Sequence, residues 1–68
     1  MSNVAKVIEV STASSTGLED AIQSGLKKVA SSVSDIQGAW VSEIKVRTHP
    51  DGQISQWRVC LRVSFVVE

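Results

Sequence analysis

An α+β fold with the order β-α-β-β, a three-stranded antiparallel sheet wrapped on one helix, is the architecture this chain predicts. Three observations lead to it. Apolar residues between Leu18 and Val33 recur at three-and-four spacing, the mark of one helical face. The closing segment from Ile54 alternates apolar and polar residues, the mark of a strand covered on one side. Between it and the β-branched segment before it stands "HPDG", residues 49–52, where Pro and Asp make a bend and Gly supplies a positive φ.

Each element has its own warrant. "VAKVIEV", residues 4–10, is β-branched with partial alternation and predicts the first strand. "STASSTG", residues 11–17, is small and polar and predicts a loop. The helix follows, with Leu18, Ala21, Ile22, Gly25, Leu26, Val29, Ala30 and Val33 on one face. Thr16 stands three residues before Glu19, the spacing of a capping box. Glu19 and Asp20 fall in the first turn and Lys27 and Lys28 later, as the helix dipole favours. Gly25 in the apolar stripe costs about 1 kcal/mol against Ala, so it predicts close approach of helix and sheet.

Gly38 is expected to end the helical region. "AWVSEIKVRT", residues 39–48, predicts the second strand. Its apolar residues Trp40, Val41, Ile44 and Val46 break phase once, which a β-bulge near Ser42 explains. In the third strand, Trp57, Val59, Leu61, Val63 and Phe65 share one face, and Gln56, Arg58, Cys60, Arg62 and Ser64 share the other. The helix is expected to cover the first set, with Trp57 in the core beneath it.

Size and composition bound the function. The 68 residues make one domain, and a chain of this size buries only roughly 60% of its unfolded surface. Cys60 is the only cysteine and His49 the only histidine, so neither a disulfide nor a Cys- or His-based metal cluster can staple the fold. Burial against further copies is the remaining source of stability. One bare sheet face and long exposed strand edges point the same way. Seven Lys and Arg balance seven Asp and Glu, which gives no sign of nucleic acid or membrane lipid as a partner. The start of the chain has no apolar run of signal-peptide or membrane-span length, so a cytoplasmic protein is expected.

Trp40 is the residue that asks for an explanation. It opens a strand after the small Gly38 and Ala39 and belongs to no apolar stripe. Two readings are open: an aromatic buried in core or interface, and a platform on which a flat ligand stacks. Cys60 and His49 suggest a nucleophile and base, but one lies mid-strand, the other in a turn, and no third group orients them. Arg47, Arg58 and Arg62 suit a phosphate, and equally suit cross-strand pairing. Acidic residues are scattered without calcium-loop spacing.

In order and spacing, "VAKVIEVSTAS", the helix, "GAWVSEIKV", "DGQI" and "WRVCLRVSFVV" resemble the dodecins along essentially the whole chain. The resemblance implies a β-α-β-β protomer of which twelve copies form a hollow shell. It implies non-covalent flavin, FMN or riboflavin, held in pairs with the rings stacked against a tryptophan from each of two subunits. That tryptophan opens the second strand, the place of Trp40. It implies flavin storage and photoprotective quenching rather than catalysis. Many flavin-binding dodecins carry a glutamine that pairs with the flavin's pyrimidine edge; counted back from Phe65, that position is Arg58. Gln accepts and donates, whereas Arg only donates. Gln56, two residues earlier on the same face, is the substitute. Arg47 matches a basic position that contacts the flavin phosphate in some members, with Lys6 as a further candidate. The alternative is a dodecin-type shell that binds no flavin but serves as a structural assembly or takes a coenzyme A-like nucleotide or a metal ion.

Overall fold

The computed structural model describes residues 4–67. The order is β1 (Val4–Ser14), α1 (Leu18–Ala30), β2 (Ile36–Thr48) and β3 (Ile54–Val67). The strands form one antiparallel sheet in the order β1-β3-β2, so the last strand in sequence is the central one. This is the expected α+β fold.

The helix begins differently from expectation. β1 runs on to Ser14, through most of the segment read as a loop, because its Ser and Thr pair across to Cys60, Val59 and Trp57. Only three residues then connect strand to helix. The N-cap is Gly17, and it makes no side-chain capping bond, so Thr16 and Glu19 do not form a capping box. Buried Ser14 ties the connection instead. Its Oγ accepts from the backbone N–H of Thr16 at 2.9 Å and donates to Asp20 Oδ2 at 2.7 Å.

The far end of the helix also differs. It stops at Ala30, and Val33 reaches the core from the following turn rather than from the helix. The chain reverses at Asp35, which takes a left-handed φ of 59° that Asp tolerates better than most residues. β2 therefore starts at Ile36, and Gly38 lies inside it beside an irregularity in pairing. The hairpin turn is as expected: Gly52 has φ 90°, its N–H donates to the His49 carbonyl, and Asp51 Oδ1 accepts from the Gln53 N–H.

Register assigns the faces. A second irregularity between Val41 and Glu43 leaves Ser42 as the extra residue, the expected bulge. It brings Val41, Ile44 and Val46 opposite Leu61, Val59 and Trp57, all on the helix side. Trp40, before the bulge, pairs with Arg62 on the outer side. Ala21, Val29, Val59, Leu61 and Val63 form the core, with Ile8, Val10, Leu18, Ile22 and Leu26 packed against it.

The helix covers only part of its sheet face. Its 13 residues span about 20 Å, while the molecule is 56 Å long, and it packs on β1 and β3. Trp57 lies beyond it, half-buried and outside the core cluster, which corrects its expected place beneath the helix. Val41, Ile44 and Val46 on β2 are left open to solvent on the same side.

Close approach of helix and sheet is real at Gly25. A Cβ there would stand 2.8 Å from Thr12 Cγ2. Thr12 cannot swing away freely, because its Oγ1 donates to the Ala21 carbonyl at 3.1 Å. Gly25→Ala is therefore expected to destabilise by about 1–2 kcal/mol, the overpacking outweighing the gain in helix propensity. Thermal denaturation checks this, and adding Thr12→Ser, which removes Cγ2, should restore part of the loss.

Candidate functional site: the outer sheet face

The polar face of β3 is the scaffold of the site. Alternation points Gln56, Arg58, Cys60, Arg62 and Ser64 away from the helix, and pairing gives each a neighbour. Arg62 stands between Glu9 on β1 and Trp40 on β2. Cys60 stands between Ser11 and Glu43, Arg58 between Ala13 and Lys45, and Gln56 beside Arg47.

Trp40 is 51% exposed. Such exposure takes it out of the core of a single chain, and the helix lies on the other side of the sheet. The Arg62 guanidinium lies 5.9 Å from its ring centroid, within cation–π range. Arg62 Nε in turn donates to Glu9 Oε2 at 3.2 Å. Both ends of that ion pair are well exposed, so it contributes little to stability. Its effect is to hold the guanidinium against the indole.

Four of the five residues expected at a ligand site share this face: Trp40, Arg47, Gln56 and Arg58. Arg58 is four residues from Arg62 along β3, about 13 Å. Its Nε is buried and has no hydrogen-bond partner among the described residues. Lys6 is not brought together with the other four. It pairs with Phe65, on the helix side, so within one chain the sheet separates it from Trp40. Glu9 and Lys45 are neighbours of the site that the sequence did not single out, and Arg62, read there for phosphate or cross-strand pairing, is paired across the strands with Glu9. The alternation shows that Arg62 shares the face of Arg58, but only the strand register shows what stands beside it.

Cys60 and His49 do not meet. Cys60 is six positions along β3 from Ile54, the end of the strand next to the hairpin turn, about 20 Å of strand. Among the described residues no group of three or more His, Cys, Asp or Glu is placed to hold a metal ion. No described helix is long and apolar enough to cross a membrane.

Together these features define a small open-sheet domain, one face of which carries an exposed indole among basic and amide side chains. The chain belongs to the dodecin family, whose model matches residues 4–68. Solved structures agree. A tryptophan-to-phenylalanine variant of the T. thermophilus dodecin is 30% identical, with a TM-score of 0.90 over 98% of each chain. The dodecin of Streptomyces davaonensis shares the fold at 24% identity, with a TM-score of 0.90 over 100% of this chain and 98% of that one. A Mycobacterium tuberculosis antigen described as a calcium dodecin with a novel calcium-binding site is 34% identical, with a TM-score of 0.80 over 96% and 91%. A search of curated proteins finds no match.

Proposed function

We propose that this protein binds flavin without catalysis, as a cytoplasmic homododecameric shell that stores FMN or riboflavin and quenches its photochemistry. One observation carries the reading: the half-exposed Trp40 on a sheet face that also presents Gln56, Arg58 and Arg47. An indole so placed offers a flat, electron-rich surface to an aromatic ring. Gln56 supplies both a donor and an acceptor to a ring edge, and Arg47 and Arg58 supply donors for carbonyls or phosphate. These residues fit a flavin in chemistry. A ring against Trp40 is within electron-transfer contact, which is the source of quenching.

Assembly has its own support. Val41, Ile44 and Val46 line an uncovered apolar strip on the helix side, and β1 and β2 both have an open edge. Burying that strip between copies supplies what a 68-residue core lacks. Light scattering at micromolar concentration is expected to report a particle near twelve chains, and a stable monomer would sink the shell. Titration with riboflavin and FMN is expected to extinguish flavin fluorescence.

The second reading, a shell that takes no flavin, is favoured by Arg58. A guanidinium cannot accept a hydrogen bond from a flavin ring N–H. If this mismatch decides, the unaltered protein leaves flavin fluorescence unchanged. Arg58→Gln then creates binding, with about 1 kcal/mol from the recovered hydrogen bond. A metal ion in such a shell would need ligands from more than one chain, given the scatter of acidic residues among those described.

A further inference from the structure

Glu9, Arg62 and Trp40 form a row across the sheet. Arg62 on the central strand has Glu9 opposite it on β1 and Trp40 opposite it on β2. The guanidinium is held from both sides. Its Nε donates to Glu9 Oε2 at 3.2 Å, and its carbon stands over the indole, 5.9 Å from the ring centroid. An ion pair this exposed adds little to stability. Its consequence lies in where it puts the two side chains, not in how firmly it holds the fold.

The neighbours along β2 do little to fix the indole. Trp40 is half exposed. Gly38, two residues earlier, has open space where a Cβ would stand. Ser42, two residues later, commits its hydroxyl to the Cys60 carbonyl at 3.1 Å. An aromatic side chain without walls turns among several rotamers, and stopping that motion when a ligand binds costs affinity. A guanidinium over the ring removes the cost beforehand, because the cation is attracted to the face of the π-system and Glu9 anchors it there. The same contact covers one face of the indole. What remains for a flat ligand is the opposite face.

We propose that Arg62, tethered by Glu9, is the positioning residue for Trp40: it sets the plane of the indole, occupies one of its faces and reserves the other for a flat aromatic ring. Which ring is received rests on the flavin reading above; the order imposed on the indole does not. Arg62 so placed acts through Trp40.

The test reads the indole directly, in a Trp57→Phe background so that Trp40 is the one tryptophan left. Acrylamide is neutral, so its quenching of the indole follows access to the ring and not the charge of Arg62. Arg62→Gln is expected to raise the Stern–Volmer constant of Trp40 by about 1.5- to twofold, as a second ring face opens, and to lower its fluorescence anisotropy. Glu9→Gln should move both signals the same way by less, and should add nothing once Arg62 is replaced, because Glu9 acts through Arg62. Arg62→Lys keeps a cation without the planar fork and should restore part of both. Thermal midpoints should hardly move, since the pair is exposed. Riboflavin, which carries no phosphate, is titrated against the same proteins. Its Kd is expected to rise about two- to tenfold in Arg62→Gln, the fold-change that corresponds to ordering one side chain on binding. If riboflavin binds none of the proteins while the indole signals move as stated, the flavin reading falls and the positioning of Trp40 stands. Unchanged acrylamide access in Arg62→Gln, a Glu9→Gln effect that persists without Arg62, or riboflavin bound equally tightly with and without Arg62 overturns the proposal.

Discussion

Leu61→Ala is expected to cost about 2–5 kcal/mol, the range for a buried leucine whose cavity cannot fully collapse. Leu61 is 1% exposed and sits in the central strand between Val59 and Val63, with Val10 and Val41 opposite it on either side. Rigid strands on both sides leave the cavity no route to close. Stability at roughly 0.05–0.15 kcal/mol per residue allows the chain about 3–10 kcal/mol in all, so this single change removes a large fraction of it. Urea denaturation followed by far-ultraviolet circular dichroism checks the expectation; an unfolding free energy within about 0.5 kcal/mol of the parent would contradict the core described. Trp57→Ala serves as the contrast. Trp57 would have cost as much beneath the helix, but half-buried beyond it the loss should be smaller.

Trp40→Ala is expected to have the largest effect on function. On the flavin reading, removing the indole costs on the order of 1–3 kcal/mol of binding per stacked face, by analogy with bases on aromatic side chains. That is roughly a 5- to 150-fold rise in Kd for one face. Most of the fluorescence quenching should vanish with it, because the electron donor is gone. Fold stability should hardly change, since Trp40 is half exposed and lies on the side of the sheet away from the core. Fluorescence titration and light scattering separate these effects. A variant that falls apart yet still quenches flavin would make Trp40 an interface residue and place the ligand elsewhere.

Local chemistry accounts for what was legible beforehand. The helix stripe, the turn at Gly52, the two faces of β3, the bulge at Ser42 and the tight contact at Gly25 each rest on residues close in sequence. A period, a required φ or a missing Cβ can be read without knowing what lies across the sheet. The errors arose where a distant partner overrode local preference. "STAS" looks like loop, but β3 offers it a ladder of hydrogen bonds, so β1 continues to Ser14. Thr16 has the capping spacing, but Ser14, held in place by that longer strand, satisfies the connection instead. Gly38 looked like a helix terminator, yet the reversal takes place at Asp35.

By itself the sequence determined the order of elements, the turn between the last two strands and which residues of β3 look the same way. Tertiary structure alone decided that Trp40 faces outward beside Arg62, that Lys6 lies across the sheet from it, that Trp57 escapes the helix, and that Lys45 confronts Arg58. The reason is physical. Alternation sorts the residues of one strand into two faces but leaves the strand free to slide, and a slip of one residue exchanges its faces. The bulge at Ser42 and the hairpin turn remove that freedom. Only then does each side chain acquire the cross-strand neighbours from which a site is built.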